Sequence, residues 1–518
     1  MAKRIEDVWP LTPLQEGLLF HSLFDDQHPD VYVVQDVRAL EGPLDASRLR
    51  TTWETVLARH PTLRASFHRP SNADDFVQII PARVRLPWRE VDLSELPREE
   101  ALDQAARLAK EERERRFDLA APPLLRLLLV RLDEKLHHLV MTNHHILMDG
   151  WSLPLLHQEV SAVYEAGGDA GRLPPVTPYR DYLAWLHRQD KDAAREAWRT
   201  ELADLDGPTL FAPSADHGPR DPRYTQTQAK LDAAATTALL EMARDRELTL
   251  NTVVQGCWAL LLGQLTARDD VVFGATAAGR PPELPGVEDM LGLFITTVPV
   301  RVRLDAGRRV RDVLGDLLAS QSRLTPHHYL GLSEIQRVGG PGTGFDTLVI
   351  FESYPQLDDP RESAGSLLIT PVHGHNLTHY PVSLAVFPGP ELLFVVTCRS
   401  DLVDESTAGQ LAERLIRVLR QVAADDERRV EDFDVLLEGE RDWLLGEVAV
   451  GDVPAESAST VVEAFAAQVA AHPNATAVIA GQDSWTYADL DARTNRLAHH
   501  LLGLGLAPGD RAAVALPR

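Results

Sequence analysis

The sequence runs to 518 residues, 44% of them hydrophobic and 25% charged, which is too long for a single core and too apolar for a disordered chain. Lys and Arg total 52 against 77 Asp and Glu, a formal charge of -25, so phosphate backbones and anionic lipid are repelled and neither nucleic acid nor membrane is an expected partner. Two cysteines, Cys257 and Cys398, each within an apolar stretch, exclude a disulfide framework and a zinc site and suit a reducing compartment.

Glu6 and Asp7 stand where a signal peptide needs an apolar run, and no stretch of about 18 apolar residues occurs, so the chain reads as cytoplasmic, neither secreted nor membrane-spanning. Leu14, Leu18 and Leu19 recur at helical spacing, and VYVVQDVRAL from Val31 reads as a strand. A helix follows in DASRLRTTWETVLARH, with Asp45 as its cap and Pro61 beyond its end. Residues 99–116 form a charged helix with a solvated face. PLLRLLLVRL and HHLVMTNHHI then read as strands separated by the Asp133-Glu134-Lys135 turn.

A Gly/Pro-rich passage near 166–178 marks a boundary, and a helical region with Trp185 and Trp198 follows. Beyond it lie the helices ATTALLEMARDREL and TVVQGCWALLLGQLT. The strands DDVVFGATAAG, ITTVPVRVRL, FDTLVIFESY, PVSLAVFPG and ELLFVVTCRS come next, and the helix TAGQLAERLIRVLRQVAAD closes the series. Both halves mix helices with strands, which predicts α/β or α+β layers. A polar, strand-poor stretch then reads as a linker, and a last segment of helix, strand and helix ends within an apolar strand.

The densest chemical signal is NHHILMDGWS, residues 143–152. Consecutive strand residues point to opposite faces, so one of His144 and His145 can be buried while the other faces a cavity. Asp149 and Gly150 end the strand segment, and Ser152 can cap the next helix, whose first amides would lie near the histidines. A histidine, a carboxylate and free N–H groups within a few residues suit proton handling and oxyanion stabilisation.

HHxxxDG between strand and helix resembles the active-site motif of chloramphenicol-acetyltransferase-like acyltransferases, and in particular that of nonribosomal peptide synthetase condensation domains. PLTPLQEGLLFHSL, RHPTLRASF, FGATAAGRPPELPGVEDMLGLFITTVPVRV, FDTLVIFESYP and THYPVSLAVFPG resemble further motifs of that family, in family order. WTYADLDARTNRLAHHL resembles the opening of an adenylation domain, whose later nucleotide-binding motifs are absent, so the chain is expected to be a fragment of a larger synthetase.

The resemblance implies a two-lobed, V-shaped pseudo-dimer with a central tunnel. Its lobes are expected at 1–175 and 176–430, a linker at 431–459 and the truncated adenylation start at 460–518. An upstream donor and a downstream acceptor peptidyl carrier protein, each with a phosphopantetheine arm, are the implied partners, together with the chain's own adenylation domain. The domain itself is expected to bind no cofactor or metal. His145 is expected to orient or deprotonate the acceptor amine, and His144, Asp149 and Gly150 complete the catalytic set, Gly150 as an oxyanion contact. Asp149 is implied to pair with Arg280, with Arg64 as the alternative partner. Trp151 and His379 are expected to line the tunnel.

His373, His375 and His379 have spacing that a metal site could use, but tunnel lining is the preferred reading, and His327-His328 reads as solvated. The Leu147-Met148 filling of the motif resembles the subtype that takes a D-configured donor. An epimerisation domain would need an acid/base carboxylate in a Glu-Gly-His-Gly-Arg segment, which has no match here, and heterocyclisation domains carry aspartates in place of the histidines. A non-catalytic recruitment platform tends to lose the second histidine, and His145 is present.

Overall fold

The computed structural model describes residues 4–24, 28–71, 75–212, 223–352, 362–364, 367–449, 460–481, 483–507 and 509–515. They fall into two compact units, Met1–Leu437 and Glu438–Arg518. Residues 450–459 of the expected linker lie outside the described residues.

The first unit is built on two six-stranded sheets. In the first sheet, strand Val33–Glu41 pairs antiparallel with Leu136–His144, which pairs with Leu125–Arg131; Trp88–Asp92 lies parallel at the edge. The apolar run in Leu125–Arg131 serves two cores at once. Leu125, Leu127 and Leu129 enter the main cluster of this lobe. Leu128 and Val130 point the other way, into a cluster roofed by Ala101, Ala105 and Leu108 of helix Arg98–Glu114. Because both faces are covered, the strand loses its alternation. Helix Ala46–Arg59 starts where Asp45 accepts the Arg48 amide, and it buries Leu49, Trp53, Val56 and Leu57 on one stripe.

The second sheet runs in the order 296–303, 270–277, 347–351, 382–387, 392–399 and 224–231. Helix Leu250–Thr266 lies under it with Thr252–Gly263 buried throughout, and Glu405–Ala424 packs alongside, so Trp258, Leu261, Leu415 and Phe394 share one core. Cys257 and Cys398 are free thiols in this core. Two excursions tie the halves together. Strand Leu367–His375 leaves the second half to pair with Val33–Glu41 of the first sheet, and Met290, Leu291, Leu293 and Phe294 pack into the first lobe's core.

In the second unit, helix Val461–Ala471, the hairpin of Thr476–Ala480 with Asp483–Thr486, and helix Tyr487–Gly503 follow in order. Both helices open with a capping box, Thr460 with Glu463 and Thr486 with Asp489. Among the described residues no single helix is long and apolar enough to cross a membrane.

Candidate active site

Strand Leu136–His144 stops at His144, and His145–Leu147 turn into a short 3-10 helix, which separates the environments of the two histidines. His144 is fully buried. Its Nδ1 accepts the Ile146 amide at 3.1 Å, so the proton of this neutral ring sits on Nε2, which lies 3.1 Å from Ser22 Oγ and 3.2 Å from Asp30 Oδ2. Burial would raise the Asp30 carboxyl, but the hydrogen bonds from His144, the Tyr32 amide and Ser22 outweigh it and hold the group below the ordinary aspartate range.

His145 is anchored by its own amide, which donates to the Tyr32 carbonyl at 2.8 Å. Its ring lines two cavities, one of about 590 Å³ bounded by Leu14, Gly17 and His379, the other of about 450 Å³ bounded by Asn143, Gln226 and Thr397. Gly150 lines both as well, so the two spaces meet at this histidine and this glycine. Burial pulls the His145 imidazole below the ordinary histidine range, with backbone groups and Asp149 pulling the other way. The ring is therefore neutral and able to accept a proton near neutral pH.

Asp149 has both of its oxygens occupied. Oδ1 accepts the Ser152 amide at 3.0 Å and its hydroxyl at 2.9 Å; Oδ2 accepts the amides of Phe294 at 2.9 Å and Ile295 at 3.2 Å. Arg280 Nη2 completes the shell at 3.4 Å, with both side chains buried. Arg280 also donates to the carbonyls of Val287 and Met290, and its guanidinium lies 3.9 Å from the Phe294 ring centre. Gly279, with φ of +61°, makes the turn before it; a Cβ there would stand 1.8 Å from the Phe294 carbonyl oxygen.

Several expectations shift. Arg64 is not a partner of Asp149: it pairs with Glu6 at 2.8 Å and donates to the Pro81 carbonyl. Ser152 is the first helical residue and not the cap, because Asp149 takes both its amide and its hydroxyl. The Leu153 amide is likewise used, by the Gly150 carbonyl, whereas the Gly150 amide has no hydrogen bond among the described residues. Trp151 donates to the Glu288 carbonyl and lines a third cavity of about 570 Å³, which shares Thr276, Ile295 and Ile350 with the larger space that His145 lines. His327 and His328 are half-buried and not solvated; His328 stacks on Trp198, and burial pushes it down to about 4.

His379 lines the larger cavity beside His145. The Tyr32 hydroxyl and His379 Nδ1 share a hydrogen bond of 2.6 Å, and the His379 ring stacks on His21 at 4.0 Å. Burial, with His21 and Arg399 nearby, pushes it down to about 3. His375 lines the other cavity and His373 is exposed, so the three histidines are dispersed. Among the described residues no group of three or more His, Cys, Asp or Glu side chains is placed to hold a metal ion. Asp30, Ser22, Tyr32 and His21 were missed by sequence reasoning. His144 is 114 residues from Asp30, and only the pairing of Val33 with His144 brings them together.

A condensation-domain model matches residues 5–445, and an AMP-binding-enzyme model matches 465–518. The chain is 36% identical over 526 residues to a linear gramicidin synthase polypeptide of Brevibacillus parabrevis, covering 99% of this chain and 10% of that protein. It is 31% identical over 517 residues to bacitracin synthase 3 of Bacillus licheniformis, covering 97% and 8%. The chain thus spans about a tenth of the length of the gramicidin synthase polypeptide. Among solved structures, the first condensation domain of the calcium-dependent antibiotic synthetase superimposes with a TM-score of 0.69 at 20% identity, covering 83% of this chain and 100% of that one. A four-domain nonribosomal peptide synthetase superimposes with a TM-score of 0.74 at 19% identity, covering 98% and 40%.

Proposed function

This chain belongs to the condensation-domain family, and we propose that it forms a peptide bond between two carrier-bound thioesters, with the start of an AMP-binding domain following at its C-terminal end. The observation that carries the reading is the meeting of two cavities at His145 and Gly150. One space admits the donor acyl thioester and the other the acceptor aminoacyl thioester, each on a phosphopantetheine arm that is substrate and not resident cofactor.

The acceptor nitrogen attacks the donor carbonyl carbon, the C–N bond forms, and the C–S bond breaks. The donor thiol leaves on its arm, and the proton lost by nitrogen passes through His145 to that sulfur. A neutral His145 fits this step, which is worth about two to four powers of ten. Holding the amine against the carbonyl supplies much of the remainder. The unoccupied Gly150 amide is the candidate donor to the developing oxyanion. Asp149 and Arg280 act structurally, fixing the Phe294–Ile295 backbone and the motif turn against each other. His144 serves the turn that presents His145, and His379 walls the larger cavity.

The remaining parts of the reading are a D-configured donor, upstream and downstream carrier partners, a cytoplasmic location, lobes at 1–175 and 176–430, a linker at 431–459 and an adenylation start at 460–518. Mixing the chain with a loaded donor and a loaded acceptor carrier protein tests the reaction. The donor acyl group should appear on the acceptor carrier, linked through its amine, and hydrolysis alone would overturn the reading.

A further inference from the structure

One carboxylate outside the histidine motif grips both supports of His145. Asp30 lies just before strand Val33–Glu41, with its side chain 3% exposed. Its Oδ2 is 3.2 Å from His144 Nε2, and its Oδ1 accepts the Tyr32 amide at 3.0 Å. Each of those residues then holds the backbone around His145. The Tyr32 carbonyl accepts the His145 amide at 2.8 Å, and His144 Nδ1 accepts the following amide, that of Ile146, at 3.1 Å. The Tyr32 hydroxyl extends the same network to His379 on the cavity wall.

We infer that Asp30 is a positioning residue: its two oxygens fix the His144 tautomer and the Tyr32 backbone together, and so set where the His145 ring stands at the cavity junction. The inference rests on the reading of His145 as the residue that meets the amine. The chemistry of the pair explains why an acid is needed. His144 must carry its proton on Nε2 to leave Nδ1 free as an acceptor, and an ionised carboxylate favours that tautomer. Ser22 Oγ touches the same Nε2 at 3.1 Å, and the Arg116 guanidinium stands 3.8 Å from Asp30 Oδ2. In Asp30→Asn one oxygen becomes an NH₂ group, which must face either His144 Nε2–H or the Tyr32 amide, donor against donor. One of the two arms is then lost, while the side chain keeps its size.

The test uses the full chain labelled with ¹⁵N-histidine, the ring signals of His144 and His145 being assigned from single substitutions of each. Asp30→Asn should move the signals of both rings. It should lower kcat by roughly tenfold to a hundredfold, the range that small misplacements produce, with KM for either loaded carrier within about twofold because the Asp30 side chain is buried and lines neither cavity. The exposed Asp103→Asn should do neither. Unchanged His145 signals, or kcat within about twofold of wild type, in an Asp30→Asn protein that melts normally would overturn the inference. Should Asp30→Asn not fold, Ser22→Ala loosens the same Nε2–H and is read the same way, and an unmoved His144 ring would count against the assignment. The ring signals report on Asp30 even if the wild-type chain forms no peptide bond, so failure of the functional reading and failure of this inference are distinguishable.

Discussion

Asp149→Ala removes the acceptor for the Ser152, Phe294 and Ile295 amides and the Ser152 hydroxyl, all in a side-chain environment with no solvent exposure. Ser152 keeps the Asp149 carbonyl for its amide and the Gly292 carbonyl for its hydroxyl. Each buried donor left without a partner costs about 1–3 kcal/mol, so the Phe294 and Ile295 amides bring the loss to on the order of 4 kcal/mol, much of a typical domain's stability of about 5–15 kcal/mol. Arg280→Ala is milder. It removes one contact of 3.4 Å from a carboxylate that keeps its neutral donors, and it frees two carbonyls and the Phe294 ring face, a loss of about 2–3 kcal/mol. The two residues touch, so the double variant should fall short of the sum by about 1–2 kcal/mol. Denaturant unfolding followed by tryptophan fluorescence and circular dichroism measures all four proteins of the cycle. Arg280→Ala costing as much as Asp149→Ala, or losses additive to within about 0.5 kcal/mol, would refute the reasoning.

His145→Ala should keep the wild-type melting transition while losing condensation by about two to four powers of ten, and full turnover by that variant would remove His145 from the chemistry. His144→Ala removes one hydrogen-bond donor from the buried Asp30 carboxylate, which keeps the Tyr32 amide and Arg116, so it should lower stability by about 1–3 kcal/mol as well as activity, and a normal denaturation midpoint would argue against the buried contact. Burial pushes His379 down to about 3, whereas an unfolded histidine titrates near about 6.5. The unfolded chain therefore binds more protons between those values, and stability that is complete above pH about 6.5 is lost as pH falls toward about 3. His379→Asn should flatten that slope, and an unchanged slope would contradict the assignment. In a competition between donors ending in D- and L-residues, read by chiral chromatography, the D-donor should dominate, and equal use or an L preference would remove the subtype reading alone.

Local periodicity carried the elements with the most regular patterns, such as helix Ala46–Arg59 with its Asp45 cap and the strands on either side of the Asp133 turn. The motif itself located His145 and Gly150, because strand, turn and helix follow one another within a few residues. What stayed hidden depends on contacts across long stretches of chain. Leu367–His375 has an ordinary strand pattern, and nothing local says that it joins the first sheet. Asp30 meets His144 through the pairing of Val33–Glu41, and Ser22 reaches it from helix Pro13–Phe24. Arg64 was a reasonable cation for Asp149 by composition, yet the strand Ile5–Pro10 brings Glu6 to it first. Ser152 has the residue type of a cap, but its hydroxyl is engaged by the carboxylate of Asp149 three residues earlier and by the Gly292 carbonyl.

The central claim is that two carrier-bound thioesters meet at His145, and intact-protein mass spectrometry of a reaction between a loaded donor and a loaded acceptor carrier tests it most directly. With wild-type chain, the acceptor carrier should gain the mass of the donor acyl group while the donor carrier returns to its free thiol, and His145→Ala should leave both carriers as loaded. Donor carriers that empty by hydrolysis with no mass gain on the acceptor, or equal transfer by wild type and His145→Ala, would contradict the account.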